Sequence, residues 1–124
     1  MLSNVLKYSE NNMWVRFKGE RAVIGITEYL LEDIEDITLV SLPKTREEIS
    51  QDDIFGSLET SEEVIDLVAP ISGEVVRVNS LVKEDPSVLI EDPYGDGWLI
   101  EVEVYDEDEI ENLLDAEEYE GKIG

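Results

Sequence analysis

Apolar residues recur at every second position along much of this chain. In MWVRFKGERAVIGI, Met13, Val15 and Phe17 fall on one face and Trp14, Arg16 and Lys18 on the other, the period of two of a β-strand. Gly19-Glu20 interrupts the pattern and residues 22–26 resume it, which predicts a hairpin. Further strands are predicted in DITLVSLP, a buried run stopped by Pro43, in DIFGSLET, in EVIDLV and in GEVVRVN. In the last of these Val76 and Val78 face one way and Arg77 the other. WLIEVEVYD is the clearest case, with Trp98, Ile100, Val102 and Val104 expected inward and Glu101 and Glu103 outward.

Helical spacing is confined to shorter stretches. TEYLLEDIED predicts a small helix capped by Thr27, its apolar stripe made by Leu30, Leu31 and Ile34. Near the end, Asp106 with Glu109 offers a capping pair for a helix that packs through Ile110, Leu113 and Leu114. Asp115 is placed to cap another, AEEYEGKI. KTREEISQDD reads as a polar linking loop or single turn, and SLVKEDPSVLIEDPYGDG as turn-rich because of Pro86, Pro93, Gly95 and Gly97. No linker divides the chain, so one mainly β domain over residues 1–124 is expected.

Composition narrows the chemistry sharply. The sequence has neither cysteine nor histidine, which removes disulfides, thiol nucleophiles, Cys/His zinc sites and histidine-based triads at one stroke. Thirty-two acidic residues against 9 basic ones give a formal charge of −23, a balance that repels phosphate backbones and anionic lipid. Neither nucleic acid nor membrane is therefore an expected partner; an acidic decoy for basic proteins is the remote alternative. No apolar run is long enough to span a bilayer, and MLSNVLKYSENN lacks the basic flank and apolar stretch of a secretion signal, so a cytoplasmic location is expected.

One turn stands out. Between the runs ending at Leu58 and starting at Val64 the chain carries Glu59, Thr60, Ser61, Glu62 and Glu63. As a catalytic pair Glu62 and Glu63 are poorly disposed, because neighbours in extended chain point to opposite sides and an exposed turn does not perturb a carboxylate. As an interaction determinant at a protruding tip they are better suited. The acids of DPYGDGW and YDEDEIE lack the spacing and closing glutamate of a calcium loop, and no metal site is expected. Trp14, Trp98 and the tyrosines are not interleaved with basic residues and read as packing residues.

Four stretches, in order and spanning nearly the whole chain, resemble the H protein of the glycine cleavage system: NNMWVRFKGERAVIGITEYLLEDIEDITLVSLP, ETSEEVIDLVAPISGEVVRVN, EDPYGDGWLIEV and DEIENLLDAEEY. The resemblance implies a barrel-sandwich hybrid, the flattened β-barrel of biotinyl and lipoyl carriers, with short helices including C-terminal ones. It implies a carrier with no catalysis of its own, whose lipoyl-lysine at a hairpin tip moves a methylamine group between the decarboxylase, the aminomethyltransferase and dihydrolipoamide dehydrogenase.

Laid over the lysine-bearing turn, Glu59, Thr60 and Ser61 precede the attachment position and Glu62 occupies it; Val64, Asp66, Leu67, Pro70, Ser72 and Gly73 match beyond it without a gap. An amide to lipoate needs an amine, and a carboxylate supplies no nitrogen. A histidine of the family is also missing from Asn11-Asn12-Met13. The expectation is an H-like protein without lipoate at the usual position, a non-catalytic binding or regulatory module for glycine cleavage or other lipoate-handling enzymes. The alternative is a true carrier in which Glu62 is a substitution or the lipoyl site has moved, for example to Lys83.

Overall fold

The computed structural model describes residues 6–123, and the reading of the chain's start as lacking a secretion signal rests in part on residues 1–5, outside that range. Among the described residues nine strands form two antiparallel sheets. In chain order they are β1 (Lys7–Tyr8), β2 (Met13–Lys18), β3 (Arg21–Ile26), β4 (Leu39–Ser41), β5 (Glu48–Ile49), β6 (Ile54–Glu59), β7 (Val64–Val68), β8 (Gly73–Val78) and β9 (Ile100–Val104). Six strands pair in the order β1-β2-β3-β9-β8-β5, and β4-β6-β7 make a smaller second sheet. The helices are α1 (Glu28–Leu31), α2 (Ser80–Glu84), α3 (Ser87–Glu91) and α4 (Ala116–Ile123), with a 3₁₀ turn at Glu107–Asn112.

Period-two apolar faces need a partner layer, and here each sheet supplies the other's. Val15, Ile24, Val75 and Val102 from the large sheet share one buried cluster with Val40, Leu58 and Leu67 from the small one. The predicted β2–β3 hairpin forms in full register, Met13 opposite Ile26 and Lys18 opposite Arg21, around a two-residue turn in which Gly19 has φ of 65°.

The other face of the large sheet is also buried at its β1–β3 end. Tyr8, Trp14, Val23, Ala116 and Tyr119 form a second cluster under α4. Trp14 does lie on the face it shares with Arg16 and Lys18, yet it is fully buried, its indole N–H donating to the Pro93 carbonyl at 2.9 Å. Gly25 pairs with Trp14 across the hairpin, and a Cβ there would clash with the indole ring. Tyr8 and Tyr119 stack with centroids 4.9 Å apart. Asp115 caps α4 as expected: Glu118 N–H donates to its carboxylate at 2.8 Å, and Asp115 N–H donates back to the Glu118 carboxylate at 3.1 Å.

Several local expectations are corrected. The first helix is a single turn, and Thr27 stands at its N-cap without capping it, because its hydroxyl is turned to the Tyr119 hydroxyl at 2.7 Å. DITLVSLP gives only a three-residue edge strand with Leu39 half exposed. The polar stretch after Pro43 contains β5, which pairs with β8 through backbone bonds that no side-chain pattern announces. SLVKEDPSVLIEDPYGDG contains α2 and α3, started where Asn79 accepts from Leu81 N–H at 3.1 Å and held by buried Val82, Val88 and Leu89.

In β8 a bulge between Val75 and Arg77 shifts the phase, so Val75, rather than Val76, is fully buried. Asp106 caps Asp108 N–H and not the Glu109 pairing, and the segment it starts is 3₁₀, not α. Glu101, expected outward, is 3% exposed.

Candidate functional site

The segment from β6 to β7 is a hairpin whose register fixes its tip. Ser57 faces Asp66, Leu58 faces Ile65 and Glu59 faces Val64, which leaves residues 60–63 as the turn. Leu58 and Leu67 are buried and anchor the hairpin in the core, while Ser61, Glu62, Glu63 and Val64 are exposed. β4 supports the other edge, Leu39 facing Glu59, and Thr38 donates through its backbone N–H to the Glu59 carbonyl at 2.7 Å.

Thr60 organises the turn. Its backbone N–H donates to the Glu63 carbonyl at 2.9 Å, and its Oγ1 accepts from Glu63 N–H at 3.0 Å and Glu62 N–H at 3.2 Å. Three of the turn's polar backbone groups are thereby used by one residue, the local chemistry for which Thr and Ser are favoured in turns. Ser61 reaches across to the loop after α1, its hydroxyl donating to the Asp36 carboxylate at 3.1 Å. Beside the tip lies a depression of about 230 Å³ lined by Asp33, Ile34, Glu35 and Asp36 on one side and residues 60–63 on the other. Sequence reasoning missed the contribution of the 33–36 loop; the acidic run LEDIED was its only signal.

Among the described residues, no hydrogen bond or ion pair involves the Glu62 or Glu63 carboxylate. They are solvated side chains on a rigid turn, without the burial or the positioned acid–base neighbour that catalysis by carboxylates requires. The apex residue that meets solvent at position 62 offers oxygen and no amine, so the residues present do not fit a lipoyl group here. Lys83 lies in the last turn of α2 rather than on a hairpin, and Lys44 in the segment after β4.

Other acids singled out in the sequence serve the framework. The Asp92 carboxylate accepts from Asp96 N–H at 2.9 Å within DPYGDG, and among the described residues no group of His, Cys, Asp or Glu could hold a metal ion. Glu109 clamps the chain after β7: its two carboxylate oxygens accept from Ser72 N–H and Ser72 Oγ, both at 2.8 Å. Among the described residues no helix is long and apolar enough to cross a membrane.

Comparison with known proteins agrees over the whole described chain. The family model described as Glycine cleavage H-protein matches residues 6–123. A glycine cleavage system H protein of Geobacillus sp. (strain WCH70) is 46% identical over 118 residues, 95% of this chain and 93% of that one. The corresponding protein of Staphylococcus epidermidis is 41% identical, covering 95% and 94%. The crystal structure of a glycine cleavage system H protein from Mycobacterium marinum superposes with a TM-score of 0.86 at 32% identity, covering 98% of each chain. The barrel-sandwich architecture, an unclosed flattened barrel with short helices, is thus shared.

Proposed function

The chain belongs to the glycine cleavage H-protein family, and from that premise we propose that it is a member without lipoate at the usual position, acting as a binding or regulatory module for lipoate-dependent enzymes. Proteins of this family are carriers and not catalysts, and this chain is a carrier-type protein in that sense. The proposal concerns what it has kept and what it lacks. It has kept a hairpin whose tip is held in shape by Thr60 and tied to Asp36. It lacks the nucleophile.

The single observation that carries the reading is the identity of the exposed apex residue. Glu62 cannot form an amide with a carboxylic acid cofactor, and it places negative charge where a neutral acylated lysine would stand. Partners are then the enzymes that recognise such a tip: the glycine decarboxylase, the aminomethyltransferase, dihydrolipoamide dehydrogenase, or lipoate-attaching enzymes. Glu59, Thr60, Ser61, Glu62 and Glu63 are the residues through which they would be met.

The test is intact mass after incubation with lipoate, ATP and a lipoyl ligase. The protein should gain nothing, while Glu62→Lys should gain one lipoyl group. A lipoyl mass on the unchanged protein would overturn the reading in favour of a displaced carrier site. Failure of Glu62→Lys to react would show that the tip no longer fits the ligase at all.

A further inference from the structure

A second cleft lies on a different part of the surface, between α1 and α4. It has a volume of about 250 Å³, and its walls are aromatic and aliphatic: Tyr29, Tyr94, Tyr119 and Ile123. Its edge is acidic, made by Glu28, Glu32 and Glu120, all exposed. We propose that this cleft takes the guanidinium of an arginine side chain presented by a partner protein. The inference stands whether or not Glu62 occupies a lost attachment position.

The walls are set in advance. Tyr94 Oη accepts from Glu28 N–H at 3.2 Å, which turns its hydroxyl back to the protein. Tyr119 Oη is shared with Thr27 Oγ1 at 2.7 Å and donates to Asn12 Oδ1 at 2.8 Å, while its ring stacks on Tyr8. The Tyr119 phenol is therefore satisfied internally, and the Tyr94 hydroxyl is tied to the α1 backbone. Tyr29, 45% exposed, stands at the mouth. Tyr119, 1% exposed, closes the floor of the cleft, and the half-buried Tyr94 and exposed Tyr29 present the rings that a planar cation would meet, with the Tyr94 side already tied in place.

The charge around it is one-sided. No lysine or arginine lines the cleft, and among the described residues none of the Glu28, Glu32 or Glu120 carboxylates is hydrogen-bonded or ion-paired. Lys122, on α4 beside Ile123, is ion-paired with Glu10 at 2.8 Å. Arg77 is held by Glu101, which Arg21 approaches only to 3.9 Å, and Arg16 lies over Trp14. An aromatic wall with an unpaired carboxylate edge complements arginine better than lysine, because guanidinium stacks on rings, is weakly hydrated and pairs with carboxylates in a planar fork.

Size and surroundings favour a side chain over a free metabolite. The volume falls below the roughly 300–1,000 Å³ of small-molecule pockets. A neighbouring depression of about 320 Å³ shares Glu28 and Glu32 and adds Leu31, Ile34, Ile90 and Pro93, with Ile90 36% exposed. That apolar ground would take the residues flanking the arginine.

The experiment is an NMR titration of the folded protein with N-acetyl-arginine methylamide, its citrulline counterpart, which is isosteric and neutral, and free arginine. Saturable shifts confined to Tyr29, Tyr94, Ile123 and their neighbours are expected with the capped arginine, at least roughly twofold weaker with citrulline. Tyr29→Leu and Glu32→Gln should each weaken binding roughly two- to fivefold, whereas Tyr29→Phe should retain it. Both positions are exposed, so folding is not at risk. Equal response to citrulline, shifts spread over the acidic surface or centred on Glu62, or indifference to Tyr29→Leu would overturn the proposal. So would tighter binding of free arginine than of the capped form, which would make the occupant a metabolite.

Discussion

Glu101 and Glu62 are the same side chain in opposite circumstances. Glu101 is 3% exposed in the middle of β9, where Arg77 donates to it at 3.0 Å and Arg21 approaches to 3.9 Å. Arg77 is itself held over the Trp98 ring, 4.9 Å from its centroid. Glu62 sits on the β6–β7 tip, exposed, with its backbone fixed and its carboxylate bonded to nothing described. A buried carboxylate must be paired to be tolerated, and so becomes part of the framework; an exposed one on a rigid turn costs little and is left available for recognition. With a formal charge of −23, position rather than count decides which acids matter.

The contrast breaks most sharply at Arg77. Arg77→Ala leaves Glu101 buried with only the distant Arg21, and should lower stability by about 1–3 kcal/mol in urea unfolding. A loss below half a kcal/mol would mean that water already solvates Glu101. Next in size is Thr60→Val, which removes the acceptor of two turn N–H groups and should cost about 1 kcal/mol, less than a buried loss because water replaces it. It should also broaden the NMR signals of residues 61–63 while leaving the core unchanged.

At the tip itself, Glu62→Gln should change stability by less than about 0.5 kcal/mol, as exposed substitutions usually do. Should it destabilise as much as Arg77→Ala, the tip is framework too and its proposed freedom to meet partners is wrong. The smallest effect concerns Tyr105, whose hydroxyl donates to the Glu48 carboxylate at 2.7 Å. That bond, then burial and neighbouring acids, push its pKa up to about 12. A raised folded-state value means the contribution is complete below the phenol's ordinary range near 10 and is lost as pH rises towards 12. Burial also raises Tyr94 and Tyr119, so phenolate titration by absorbance should show a late-ionising group of tyrosines, and Glu48→Gln should bring only the Tyr105 component earlier.

The lessons about legibility differ by region. The β2–β3 hairpin was plain because six consecutive alternating positions and a glycine turn all pointed one way. The β6–β7 tip was equally plain, since apolar runs on both sides fixed where the turn had to fall. The cap at Asp115 was legible because it depends on residues three apart. Thr27 misled for the opposite reason: its partner, Tyr119, is far along the chain, and a long-range hydroxyl outcompeted the local cap. β5 was invisible because two residues are too short to show a period: Ile49 alone is buried in the core, and the pairing is to the distant β8.

What the sequence determined by itself was local: the alternation that makes strands, the turn that must join β6 to β7, and the carboxylate at position 62. Those follow from residue identity and near-neighbour spacing, which chain geometry converts directly into faces and turns. What only the tertiary structure decided was which acids would be buried and paired, and where rings and carboxylates from α1, the segment before β9 and α4 would converge. Burial and convergence depend on elements distant in sequence, and no local period encodes the layer that will come to cover a face.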